Sequence, residues 1–80
     1  MKVWIQHTEL TETTYYFFQL KDDQWFRFDM QLREWEAIKY NPRVSDKKRF
    51  RKLTAATLER EWYKMFAENA PFEKEEIAPD

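Results

Sequence analysis

Glycine and cysteine are both missing from this chain, and each absence removes whole classes of function. Without glycine there is no phosphate-cradling P-loop, no dinucleotide-binding GxGxxG turn and no Gly-Ser linker. Every turn and helix end must be built from residues that resist positive φ, with Asn and Asp the natural substitutes. Without cysteine there is neither a disulfide staple nor a thiolate metal site. A single histidine, His7, and a single serine, Ser45, leave no nucleophilic triad to assemble within one chain. His7-Thr8-Glu9 matches the H-x-E fragment of zinc deaminases, but the Cys pair that completes it is absent, so His7 is expected to be a half-exposed strand residue. The carboxylate pairs Asp22/Asp23 and Glu75/Glu76 fall in a turn and a tail, where solvated charge is the expected role. The chain therefore reads as non-enzymatic, with no catalytic residue, no metal and no cofactor expected.

Long hydrophobic runs are lacking too. Met1 to Leu10 alternates polar and apolar residues, which is not a signal-peptide pattern, and no later stretch is long enough to span a bilayer. A cytoplasmic location with no membrane partner is the expectation.

What the chain does have is aromatic area and sorted charge. Its 80 residues make one domain, and with four Trp, four Tyr and seven Phe the core must be largely aromatic. The net charge of −1 hides three blocks. Residues 1–38 and 54–80 are acidic. Residues 39–53 carry Lys39, Arg43, Lys47, Lys48, Arg49, Arg51 and Lys52 against Asp46 alone, a local net charge of +6. A compact basic belt of this kind can attract an anionic surface.

The expected fold is α+β: an antiparallel β-meander of three to four strands (residues ~2–40) packed against one or two C-terminal helices (~45–53 and ~54–69). Residues 2–8 alternate Val3, Ile5 and His7 with Trp4, Gln6 and Thr8. Tyr15 to Leu20 and Trp25 to Phe28 are strands about a turn at Lys21–Gln24. A two-residue Asp22-Asp23 loop would place Phe17 opposite Phe28 and Phe18 opposite Arg27. Trp35 to Ile38 returns as a fourth strand, with Arg27 opposite Glu36, Phe28 opposite Trp35 and Trp25 opposite Ile38. Asn41-Pro42 ends the meander.

Thr54 is the expected N-cap of the best helix, whose stripe is Ala55, Leu58, Trp62, Met65 and Phe66; Asn69 is its expected left-handed end, before Pro71. Ser45 to Leu53 is read as a short helix in preference to an edge strand. Residues 1–72 form the domain, and 73–80 are expected to be a frayed acidic tail.

Two surfaces are candidate sites. In the register above, Tyr16, Phe18, Trp25 and Arg27 lie on a sheet face without cover, an aromatic–arginine patch suited to a protein partner. Arg43, Lys47, Lys48, Arg49, Arg51 and Lys52 are the candidate contacts to an acidic partner or to phosphates, with Tyr40 and Phe50 among them. The composition has the style of small accessory proteins with which phages and mobile elements block a larger host machine. A protein-binding adaptor, regulator or inhibitor is therefore the leading expectation. A nucleic-acid-binding protein using residues 43–52 is the second, and a homo-oligomer whose aromatic face is its own interface is the third.

Overall fold

A computed structural model describes residues 1–80 as one α+β unit. Aromatic and β-branched residues, which suit a pleated half-buried surface, form four consecutive antiparallel strands: β1 (Val3–Thr8), β2 (Thr13–Gln19), β3 (Trp25–Asp29) and β4 (Glu34–Ile38). A fifth strand, β5 (Arg51–Lys52), adds to the free side of β1, giving the order β4-β3-β2-β1-β5. The meander stands as expected. Residues 45–53 are not a helix: they turn twice and end in this edge strand. The reason is topological. β4 and β5 lie at opposite edges, so the chain between them must cross four strand spacings, about 19 Å at about 4.8 Å each.

The glycine-free turns use three residues at positive φ: Glu12 (52°), Asp23 (68°) and Arg33 (54°). Each closes one hairpin of the meander. At the β2–β3 turn, Asp23 N–H donates to Leu20 O (2.9 Å) and Leu20 N–H to Gln24 O (2.8 Å). This is a three-residue loop ending in a left-handed residue, one residue longer than the two-residue loop anticipated. A change of one residue in loop length moves every side chain to the other face. Hence Phe18 pairs with Phe26, Phe17 with Arg27 and Tyr16 with Phe28. The β3–β4 register is the expected one, with Arg27 opposite Glu36 and Phe28 opposite Trp35. Left-handed backbone costs a side-chain-bearing residue roughly 1–2 kcal/mol, less for Asp. Glu12→Gly and Arg33→Gly should each raise the urea midpoint by the equivalent of about 0.5–1 kcal/mol, and Asp23→Gly by less. A lower midpoint for Arg33→Gly would show that the position is held by its side chain, not its backbone.

The sheet is covered on both faces. On the first, Val3, Phe18, Leu20 and Phe28 meet Leu58, Trp62, Phe66, Phe72 and Ile77 in the main core. On the second, Phe17, Trp25, Ile38 and Phe50 form a smaller cluster, with Trp4, Tyr15 and Val44 packed against it.

Helix α1 (Ala55–Glu61) starts at Thr54, whose hydroxyl accepts the Thr57 N–H at 3.2 Å, the expected cap. It widens into a π turn over Trp62–Phe66, with Ala67 N–H donating to Trp62 O. Leu58, Trp62 and Phe66 are buried as the stripe predicts, whereas Ala55 is exposed. Phe66 touches the rings of Tyr16, Phe18, Phe28, Trp35 and Trp62, at centroid distances of 5.1–6.0 Å. Asn69 does not take up the left-handed conformation. The chain leaves the π turn through further turns instead.

Residues 73–80, expected to fray, are docked. Glu73 and Glu76 form a reciprocal capping box around a 3₁₀ turn at Lys74–Glu76. Ile77 then bridges Leu20 and is 2% exposed. Ala78 N–H donates to Gln19 O and Lys2 N–H to Ala78 O, both at 2.8 Å, so the segment closes the end of the β1–β2 pair. Its acidic composition conceals the two apolar anchors, Phe72 and Ile77, that hold it.

Candidate functional site

The four residues expected to share an uncovered sheet face are divided between two covered ones. Phe18 is fully buried in the main core, and Tyr16 lies beside it under Phe66. Burial, with the neighbouring Glu61 carboxylate adding to it, pushes the Tyr16 phenol above its ordinary value, so that ring stays neutral. Trp25 and Arg27 lie on the second face. Trp25 is buried, stacked on Trp4 at 5.5 Å. Arg27 is paired with Glu36 and lies 4.4 Å over the Tyr15 ring. The cause is the one-residue slip at the β2–β3 turn, and the result is that no continuous aromatic patch of these four exists.

The basic belt keeps its charges outside. From the end of β4, residues 39–50 cross the second face and drop Phe50 onto Phe17, edge-to-face at 5.3 Å, with Pro42 buried and Val44 partly so. The belt's only acid is used by the turn itself. The Asp46 carboxylate accepts the Lys48 N–H at 3.0 Å, and its carbonyl accepts the N–H groups of Arg49 and Phe50. It forms no ion pair, and neither do Lys39, Arg43, Lys47, Lys48, Arg49 or Arg51. Lys52 alone is paired, with Asp80. Asp80 also takes the Met1 ammonium. These hydrogen bonds, from Lys52 first and the ammonium second, lower the Asp80 carboxyl to about 2. Its folded-state value lies below the ordinary one, so the stabilisation is full above about pH 4 and fades only as pH falls through about 2.

Two recesses flank Phe50. The larger, about 740 Å³, is an open groove walled by Lys47, Lys48, Arg49, Arg51 and Lys52 on one side and by Trp4, Ile5 and His7 of β1 on the other. The smaller, about 410 Å³, carries Arg27, Arg43 and Arg49 with Tyr40 at its rim. Arg49 and Phe50 belong to both, so all six expected cations line one continuous basic surface. Phe50 is its buried plug, while Tyr40, 58% exposed, is its one large free ring.

The contribution of β1 to this groove was not anticipated. The odd-numbered alternation Val3-Ile5-His7 was its only trace in the sequence. His7 Nδ1 shares a 2.8 Å hydrogen bond with the Thr14 hydroxyl, across the β1–β2 pair. No group of three or more His, Asp or Glu side chains is placed to hold a metal ion. No helix is long and apolar enough to cross a membrane. Comparison with known proteins finds no family model, no curated protein and no solved structure that matches this chain.

Proposed function

We propose that this protein is a small non-enzymatic binding module that captures an acidic segment of a larger protein in the groove between its basic belt and β1. The observation that carries this reading is the group of five exposed cations, Arg43, Lys47, Lys48, Arg49 and Arg51, that the fold leaves without an internal counter-ion. Charges gathered on one side of a groove and left unneutralised favour a complementary partner and speed its encounter. An adaptor, regulator or inhibitor acting on a larger protein, of the kind phages and mobile elements encode, suits such a surface.

Nucleic acid is the second reading, since phosphates would find the same cations. The aromatic rings weigh against it. Single-strand binding draws about 1–3 kcal/mol per stacked base from exposed rings. Here Phe17, Trp25 and Phe50 are buried, and Tyr40 is the one large ring of this surface left free to stack. The acidic blocks on both sides of the belt also oppose a long polyanion.

Titration with poly-L-glutamate and with a single-stranded oligonucleotide of equal charge separates the readings. The wild type should bind poly-L-glutamate at low salt, with the oligonucleotide no tighter. The triple variant Lys48→Glu/Arg49→Glu/Arg51→Glu should bind neither. Wild-type affinity in the triple variant would remove the groove from function. An oligonucleotide preferred by about tenfold or more, the worth of one stacked base, would install the nucleic-acid reading instead.

A further inference from the structure

The groove has a second property besides its charge: one wall is an open strand edge. β1 is paired with β2 along its whole length, from Val3 to Thr8. On its other side only Trp4 and Ile5 meet β5, and Leu53 N–H donates to Val3 O at 2.9 Å. That bond fixes which residues of β1 address the β5 side. Val3 does, so by the alternation of a strand Ile5 and His7 do as well, while Gln6 and Thr8 address β2. β5 stops short of His7 because the chain turns at Phe50 to plug the second face. The main-chain N–H and C=O of His7 therefore face the groove with no strand opposite them, under the cations of the belt.

The two sheet edges differ in how they meet a visiting strand. The β4 edge carries Glu34 and Glu36, charges of the sort that discourage strand pairing with other chains. At the β1 edge the flanking charges are cationic and come from another segment, 47–52, which stands beside the open backbone instead of on it. This combination selects an extended chain bearing carboxylates.

We propose that the acidic segment enters the groove as an added β-strand, in line with β5 and pairing with the main chain of β1 at His7, while its carboxylates meet Lys47, Lys48, Arg49 and Arg51. This rests on the acidic-partner reading above and specifies its geometry. Main-chain pairing supplies register and the cations supply selectivity, the division of labour of strand-addition recognition. β5 already pairs with Trp4 and Ile5, so the added strand is confined to the part of β1 beyond Ile5.

The test uses the full chain and a synthetic peptide of alternating Glu and Val, whose backbone can extend and whose charges match the belt. His7→Pro removes the outward N–H but no bond to β2, a position at which a strand tolerates proline. It should weaken the peptide by about tenfold, the value of one or two main-chain hydrogen bonds and the added steric block. The same peptide N-methylated at alternate residues should lose affinity for the wild type similarly, which keeps the test decisive if His7→Pro disturbs the fold. Equal binding of methylated and unmethylated peptides would overturn strand addition while leaving the acidic-partner reading in place. Failure of the Lys48→Glu/Arg49→Glu/Arg51→Glu variant to lose the peptide would overturn both. Tighter binding of an oligonucleotide than of either peptide would overturn both in favour of nucleic acid.

Discussion

A chain ending at Ala70 is expected to lose its cooperative fold. Residues 71–80 carry Phe72 and Ile77, which are 7% and 2% exposed and belong to the main core. Truncating one buried Phe or Ile side chain to Ala typically costs about 2–5 kcal/mol, and here both vanish together with their backbone. The main-chain bonds from Lys2 to Ala78, Ala78 to Gln19 and Lys21 to Glu76 go with them, leaving the end of the β1–β2 pair unclosed. Against this stands a total stability of roughly 4–12 kcal/mol for a chain of this size, at about 0.05–0.15 kcal/mol per residue. The measurement is a thermal melt followed by far-UV circular dichroism beside the full chain. A sigmoidal transition within a few degrees of the full chain would show that the segment is an appendage.

The second large effect compares two neighbours. Phe18→Ala should cost about 3–5 kcal/mol, enough to lower the melting temperature by roughly 12–40 °C at about 4–8 °C per kcal/mol. Phe18 is fully buried and packs on Trp35, Trp62, Phe66 and Phe72 at 5.1–6.4 Å. Phe17→Ala removes the same atoms from the smaller cluster, where the neighbouring rings are Phe50 and Tyr15. Its cost should be about half as great, because the strap carrying Phe50 can settle into the space, and relaxation of the surroundings sets the cavity penalty. The comparison decides the register independently of any other observation. A two-residue turn would put Phe17 under the helix and Phe18 outside, and would reverse the order of the two melting temperatures.

That turn marks where the sequence stopped being legible. Arg27 opposite Glu36 identifies the β3–β4 register, because opposite charges directly across a strand pair favour one alignment over its neighbours. Lys21-Asp22-Asp23-Gln24 carries no such signal: two or three residues of loop fit it equally, and the difference is whether Asp23 enters the left-handed region. The helix was legible through Thr54 and the Leu58–Trp62–Phe66 spacing. Its end was not, since the chain left through a π turn instead of an Asn69 cap. The edge strand at Arg51–Lys52 could not be told from a short helix, because two residues of a cationic run carry no alternation. The C-terminal segment escaped because Phe72 and Ile77 are diluted by Glu73, Glu75 and Glu76, although the capping-box spacing Glu73 to Glu76 was there to be read. Of the candidate site, the six cations were visible from charge sorting alone. The strand forming the opposite wall was hidden, since nothing local tells β1 that its neighbour is a segment more than forty residues away.

The face-to-face pair of Trp4 and Trp25 gives the molecule a built-in optical label. Two indoles stacked this closely couple their excited states and produce a paired circular-dichroism band that isolated indoles lack. One ring of the pair borders the groove and the other is anchored in the smaller cluster, while Trp35 and Trp62 sit on the helix side. Occupation of the groove would therefore alter one spectral feature while the signature of the main core stays constant, and ligand-induced change can be told apart from unfolding in a single unlabelled sample.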